Sequence, residues 1–579
     1  MPFILIALGG WLLSLSWNKW TNITLDYGRE LYTPWLITRG QVLYKDILTI
    51  HGPFPSYFNA LLFKVFGTSL MTLVLFNILL VAVITTLIYR FFIYTTDKRA
   101  AFFASAVFLS IFAFSESSRG QGNFAYICPY TYTVTYATFF SIWAIELFAS
   151  RQPKNVPWTA VGILVGLTAL CRFEIFIFLV IALLAGFIIQ GSLEHWPLKV
   201  FLRKGLLVLS GFSLPVGIAC LYFATQLPLS QVWPSILSCK HHWVEISQIY
   251  FYRYMLGLDH PWQNFRIMLA AAACYGFVLL TFKSLCMGMD GIEKNNRPWT
   301  GAFFILMGLG GIAEIVIWAV YFHDKHMFKG LPILMAFLLF FLAWRLWRHR
   351  QGLPLFVMTL WGSLMLSRVI LNVQVDFEGF VYAMPAALMF VAFFQGLVPG
   401  YFERVHRRGN FISAAASVLL VLMMVLGLLS LHHIYQARDL QVRAGPNLVI
   451  GDSSSNPQVG DIAAFLKDVD KIMGKDANFV VFPEGVMLNF LTQRPDPIPY
   501  TSFINVERVD FSSQAMLRSL EEHRPDYVIF SYPISIYFYP QHEKQYPLAV
   551  RSWVLDNYYP VWPVHPAMKD TIMVLKRYR

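Results

Sequence analysis

Long apolar runs alternate with short polar joints along this chain, and that spacing predicts membrane-spanning helices. Runs close to the 17 to 25 apolar residues that cross a bilayer fall near 2–17, 70–90, 100–114, 132–150, 205–224, 264–284, 299–320, 331–346, 353–371, 379–398 and 411–430. The run 158–190 is longer, and Cys171-Arg172-Phe173-Glu174 interrupts it. Six joints are basic: Arg90, Lys98 and Arg99; Arg151 and Lys154; Lys199, Arg203 and Lys204; Lys294 and Arg297; Arg345, Arg348 and Arg350; Arg404, Arg407 and Arg408. Short loops rich in Lys and Arg remain in the cytoplasm. All six share that side only if 158–190 starts and ends there. The expectation is a re-entrant pair of half-length helices with Arg172 and Glu174 at its tip. The count is then about thirteen membrane helices, with the N-terminus inside and the C-terminus outside.

The segments left facing outward are 18–69, 115–131, 225–263, 321–330, 372–378 and the tail. From about residue 431 the pattern changes. Helical stretches at Asp461–Gly474 and Ser512–Arg524, the second with Ser512 or Ser513 as N-cap, lie among short apolar runs. Those runs are Asn447–Ile450, Phe479–Phe482, Tyr527–Phe530 and Ile572–Leu575, a strand-and-helix alternation that predicts a small α/β domain. The expected organisation is a polytopic α-helical membrane domain, 1–430, followed by an extracytoplasmic α/β domain, 431–579.

Composition agrees with this division. With 57% hydrophobic and 13% charged residues, one large soluble enzyme and a disordered regulator are both excluded. The net charge of +12 belongs with orientation in a bilayer, so nucleic acid is not an expected partner. Six singly scattered cysteines, none beyond Cys286, argue against a zinc ribbon or a disulfide scaffold. The opening MPFILIALGGWLLSLSW has no basic n-region and no small-residue cleavage site, and is expected to be a retained first span.

Candidate chemistry concentrates in the outward loops. Asp26 and Glu30 are four residues apart and share a face if that segment is helical. A carboxylate just beyond the first span is partly desolvated, which suits a base; pairing with Arg29 or helix capping is the structural alternative. Lys325, His326 and Lys329 are basic residues on the side where such residues are scarce. They can hold a lipid-linked phosphate through charge-assisted hydrogen bonds or snorkel to headgroups. Glu116 lies in Ser115-Glu116-Ser117-Ser118-Arg119, where pairing with Arg119 would equally explain it. The aromatic stretch Tyr126–Tyr136 is a possible platform for sugar rings.

Three segments of the first loop carry a family resemblance. They are Asp26-x-x-x-Glu30-x-Tyr32, then Gly40-Gln41-Val42-Leu43-Tyr44-Lys45-Asp46, then His51-Gly52-Pro53-Phe54-Pro55-Ser56-Tyr57-Phe58-Asn59-Ala60 closing on Phe66-Gly67. Together they resemble the first periplasmic loop of GT-C glycosyltransferases, in the branch of protein O-mannosyltransferase-like enzymes and the aminoarabinose transferase. Phe482-Pro483-Glu484-Gly485 and Leu488-Asn489-Phe490-Leu491-Thr492-Gln493-Arg494-Pro495 extend the likeness into the tail.

The resemblance implies an inverting transferase with a polyprenyl-phosphate-linked sugar donor and a lipid, glycan or protein acceptor, in the cytoplasmic membrane with its tail outside. It makes Asp26 the catalytic base, with Glu30 as a further acid, and carries a second active-site carboxylate to Glu116. It places Lys325 and Lys329 on the donor phosphate, with His326 and Arg119 beside them. A divalent metal is implied where His51 stands, although a turn histidine ahead of Gly-Pro reads the same way. Two other functions remain open from the residues alone. A transporter or flippase would use intramembrane charges such as Glu314, Arg172 and Glu174. A noncatalytic scaffold of glycan assembly would not need Asp26.

Overall fold

The computed structural model describes residues 1–20, 27–116, 125–149, 156–237, 250–293, 298–322, 326–375, 377–454, 458–503, 511–531, 548–562 and 572–578. Every predicted span is a helix. The first half comprises α1 (Pro2–Ser16), α2 (Tyr27–Thr38), α3 (Phe54–Phe66), α4 (Leu70–Thr95), α5 (Lys98–Val107) with a π-turn to Ala113, and α6 (Tyr132–Phe148). Next come α7 (Trp158–Ala169), α8 (Phe173–Leu193), α9 (Leu198–Ala224), α10 (Leu229–Ile236) and α11 (Tyr250–Leu256). The long hairpin α12 (Pro261–Glu293) and α13 (Pro298–Phe322) leads to α14 (Leu331–His349) and α15 (Leu353–Leu366). Finally α16 (Met384–Ala392), α17 (Val398–His406) and α18 (Gly409–Gln436) complete the bundle. Seven helical segments are long and apolar enough to cross a membrane, and four shorter apolar helices accompany them among the described residues. The protein is multi-pass.

One expectation is corrected. The run 158–190 is not a pair of half-length helices: α8 has 21 residues, about 31 Å at 1.5 Å per residue, which is a full crossing. Its partner α7 has 12 residues and lies tightly on α9. A Cβ at Gly162 would collide with the Val208 carbonyl oxygen, and one at Gly211 with that of Thr159. Small residues let these backbones touch, and close packing replaces the hydrophobic drive that lipid cannot supply. The polar break between α7 and α8 therefore sits at an end of the bundle. It is not a midplane kink.

In the tail, a hairpin pairs β1 (Leu440–Arg443) with β2 (Val449–Gly451). A four-stranded sheet follows with β3 (Phe479–Phe482), β4 (Tyr527–Phe530), β5 (Tyr558–Trp562) and β6 (Met573–Arg577) in the order β3-β4-β6-β5. β3 and β4 run parallel, and the other pairs are antiparallel. β3 and β4 coincide with the predicted runs, because both are buried throughout and read as continuous apolar tetrapeptides. Helices α19 (Gln458–Ile472), α20 (Met487–Thr492), α21 (Ser513–His523) and α22 (Leu548–Asn557) accompany the sheet. Ser512 is the N-cap of α21, its hydroxyl accepting from the Ala515 amide.

The tail is bonded to the membrane part at several points. The Ile450 amide donates to the Asn18 carbonyl at 2.9 Å, the Leu70 amide to Asn447 Oδ1 at 2.9 Å and the Leu48 amide to the Pro499 carbonyl at 2.9 Å. α20 lies on α2, with Phe490 edge-on to Trp35 and stacked on Phe63. The Pro483–Gly485 turn leads into that helix, so both resemblance segments meet at one interface. There the Asp496 amide donates to the Tyr32 hydroxyl at 2.7 Å.

Burial raises the Asp496 carboxyl well above the usual range. A raised folded-state pKa means that the folded protein binds the proton more tightly. Stability is then lost as pH rises from the ordinary carboxylate value towards the folded one. Asp496→Asn keeps an oxygen for the Ile498 amide and should unfold at a higher temperature than wild type at pH 7.5. Thermal unfolding in nanodiscs at pH 7.5 and 4.5 checks this, with the gap between the two proteins expected to narrow at the lower pH.

Candidate functional site

The loop between α2 and α3, the α7–α8 tip and two short turns meet at one end of the bundle. α2 leads in, and its Glu30 Oε2 accepts the Tyr132 amide at 3.1 Å, placing a carboxylate on the N-terminus of α6. The helix dipole favours a negative charge there, so Glu30 ties α2 to α6. The chain then runs through Gly52 against the tip, where a Cβ would collide with the carbonyl oxygens of Leu170 and Cys171. The Phe54 amide donates to that same Leu170 carbonyl at 3.1 Å. Gly52→Ala would force the loop off the tip at a cost of about 1–3 kcal/mol. A lowered unfolding temperature at normal membrane insertion is the expected result.

The contact brings His51 to Arg172. Arg172 NH1 lies 3.2 Å from His51 Nδ1, and since a guanidinium only donates, that nitrogen accepts. Arg172 Nε donates to Glu174 Oε1 at 2.7 Å, with Glu174 in the first turn of α8. Arg368, in a 3-10 turn after α15, approaches the same oxygen at 4.0 Å. Its guanidinium carbon lies 5.9 Å from the Tyr252 ring centre on α11 and 5.7 Å from that of Tyr382. Arg368 Nε is buried and makes no hydrogen bond among the described residues. Two guanidiniums share one carboxylate, which leaves an excess positive charge and a donor facing no acceptor. Such a site suits a phosphate oxyanion.

The expected site residues distribute unevenly. His51 joins this cluster, whereas Glu30 lies on the N-terminus of α6. Asp26, Arg119 and Lys325 lie outside the described residues, although Asp26 is bonded in sequence to Tyr27, the first and buried residue of α2. Glu116 is buried, and its Oε2 accepts from Arg438 NH2 at 3.0 Å. That ion pair joins the segment after the π-turn that follows α5 to the start of the tail. Lys329 is also buried, in the 3-10 turn Met327–Gly330 that follows His326, with its Nζ 3.4 Å from Asn264 Oδ1.

The aromatic stretch is mostly internal: Tyr126, Tyr132 and Tyr136 are fully buried in the bundle, and Tyr130 is half-buried. His51 faces a guanidinium, which repels a cation, and no group of three or more His, Cys, Asp or Glu among the described residues is arranged to hold a metal. The residues present at His51 do not fit a divalent ion.

Arg368 was missed in the sequence because Ser367-Arg368-Val369 reads as the end of a span. Arg172 and Glu174 read as a polar break, but His51 and Arg368 come from segments more than a hundred residues away on either side, so only the fold reveals the cluster.

Residues 50–223 match the family described as dolichyl-phosphate-mannose-protein mannosyltransferase. That stretch holds His51, Arg172 and Glu174. The crystal structure of ArnT from Cupriavidus metallidurans bound to undecaprenyl phosphate is similar over 99% of this chain and 97% of that one, at 11% identity and TM-score 0.51. The likeness to ArnT is one of fold, and the family model covers 174 of the 579 residues. The oligosaccharyltransferase of Archaeoglobus fulgidus, in complex with Zn and sulfate, aligns with 91% of this chain and 68% of that one, at 14% identity and TM-score 0.48. No curated protein matches this chain by sequence. A fold of this kind brings helix ends and loops from distant parts of the chain together at one end of the bundle.

Proposed function

We propose that the protein transfers a sugar from a polyprenyl-phosphate donor to an acceptor hydroxyl, with inversion, at the outer face of the cytoplasmic membrane. The observation that carries this reading is the Arg172–Glu174–Arg368 cluster beside His51, a half-buried cationic site at the end of a helical bundle. The structure of ArnT from Cupriavidus metallidurans is named for its bound undecaprenyl phosphate, which fits this reading. Six basic loops on the opposite side from the first loop support the orientation.

In this reading Asp26 takes the proton of the acceptor hydroxyl as its oxygen attacks the anomeric carbon. The bond from that carbon to the phosphate oxygen breaks, and the electron pair leaves with the polyprenyl phosphate. Phosphate is a good leaving group and needs charge stabilisation more than an acid. Arg172 and Arg368 supply it, with Lys325, His326 and Arg119 as the outer basic residues that attract the anion. Glu30 acts by fixing α2 against α6, and Glu116 by holding the tail in place. No step runs through a metal.

The transporter reading loses its support at the tip, since Arg172 and Glu174 stand at a helix end, away from the midplane. Proteoliposomes loaded with a polyprenyl-phosphate sugar and an envelope lipid extract test the proposal. Release of polyprenyl phosphate is expected. Movement of intact donor across the bilayer without cleavage would point to a flippase and overturn it.

A further inference from the structure

The tail contributes one turn, Pro483–Gly485, that is tied both to α2 and to the loop between α2 and α3. On the α2 side, a Cβ on Gly28 would collide with the Met487 backbone nitrogen, so α20 begins in backbone contact with the first turn of α2. Phe490, further along α20, lies against Trp35. Going back from Phe490 to Met487, the contact moves along α2 from residue 35 to residue 28, towards its N-terminus. Glu484 precedes Met487 by three residues, and Asp26 precedes Gly28 by two. On the loop side, Glu484 pairs with Ser502 in an antiparallel bridge, and Tyr500 pairs with Leu48, three residues before His51. The turn is thus joined to the segment that follows the proposed base and to the segment that leads into the arginine cluster.

The turn is also held firmly. The carbonyls of Phe482, Pro483 and Glu484 accept from the Ser531 amide at 2.8 Å, the Phe503 amide at 2.7 Å and the Ser531 hydroxyl at 2.7 Å. Gly485 has φ +144°, and a Cβ there would meet Val481 Cγ1 at 2.7 Å, so glycine is required. The turn stands at the carboxyl ends of the parallel strands β3 and β4, the edge at which open α/β sheets bind ligands. Its one titratable side chain is Glu484, which is half-buried, with Oε2 shielded from solvent.

We infer that Glu484 binds the acceptor, its carboxylate taking hydrogen bonds from hydroxyls of a polyhydroxyl head group that meets α2 and the tail turn together. The inference rests on the transferase reading above. Two anions repel each other, so a carboxylate does not hold the donor phosphate, which the arginines attract. Neutral hydroxyls do suit it, because an ionised carboxylate accepts on both oxygens and such charge-assisted bonds are strong. The placement of the turn towards the N-terminal end of α2 puts that carboxylate on the side of Asp26, the group assigned to the acceptor hydroxyl.

The test is transfer in proteoliposomes, with envelope lipid extract varied at saturating polyprenyl-phosphate sugar and then the donor varied at saturating extract. Glu484→Ala should raise the amount of extract needed for half-maximal transfer about 10- to 150-fold, the range for losing a hydrogen bond to a charged group. The donor KM and undecaprenyl phosphate binding should remain within twofold of wild type. Glu484→Gln keeps the shape and one acceptor oxygen, so it should raise the extract requirement by a smaller factor, and it serves if the alanine variant misfolds. A purely structural role would move both substrates together. Equal rises for extract and donor would therefore overturn the inference, as would a rise for the donor alone or no change at all. Wild type that transfers normally beside unaffected Glu484 variants sinks only the acceptor subsite. Wild type that releases no polyprenyl phosphate sinks the transferase reading and the inference with it.

Discussion

Asp26→Asn is expected to slow sugar transfer by about 10²–10⁴-fold, the usual contribution of a positioned general base. Binding of undecaprenyl phosphate should be unchanged, because the asparagine alters the proton acceptor and leaves the arginine cluster intact. The side chains differ little in volume, so folding should survive the change. Glu30→Gln separates the two acids of the first loop. It keeps an oxygen for the Tyr132 amide but loses the charge that favours the α6 N-terminus, and should cost stability of roughly 0.3–1 kcal/mol. A kcat loss at Glu30 as large as that at Asp26 would reverse the assignment of the base.

The second large effect is expected at the arginines, where the two variants should differ in kind. Arg368 makes a long contact to Glu174, and its Nε faces no acceptor. Arg368→Ala should therefore mainly remove a charge-assisted hydrogen bond to the donor. Such bonds are worth about 1.5–3 kcal/mol, equivalent to a roughly 10- to 150-fold rise in donor KM. Arg172 is the close partner of Glu174 at 2.7 Å. Removing it strands a carboxylate that is 14% exposed, a defect that costs about 3–5 kcal/mol in buried pairs. Arg172→Ala should lose both stability and donor binding, while the double variant Arg172→Ala/Glu174→Ala should recover stability without recovering binding. Kinetics at varied donor concentration, together with thermal unfolding, separate these outcomes. A donor KM untouched in Arg368→Ala would remove the phosphate from this site.

The sequence was most legible where one physical constraint dominates. Backbone polar groups in hydrocarbon must be satisfied internally, so every apolar run long enough to cross became a helix. The buried strands of the tail were equally plain, since Phe479–Phe482 and Tyr527–Phe530 are apolar without alternation. The tip was misjudged in length because hydropathy locates a polar break but does not show how deep it lies. α8 has a full span on one side of the break, and α7 is short because its glycines bind it closely to α9. Tyr126, Tyr132 and Tyr136 were read as a sugar platform because aromatic residues in a loop look exposed. Packing placed them inside the bundle instead.

By itself, then, the sequence determined that this is a polytopic membrane protein with an α/β tail, and which loops hold the reactive residue types. Those features follow from local hydropathy, charge and spacing. Only the tertiary structure decided which charges meet. Arg172 shares Glu174 with Arg368, almost two hundred residues distant, while Glu116 turns away to Arg438 and Lys329 to Asn264. Pairings of this kind depend on how helix ends are brought together, and no local pattern records that.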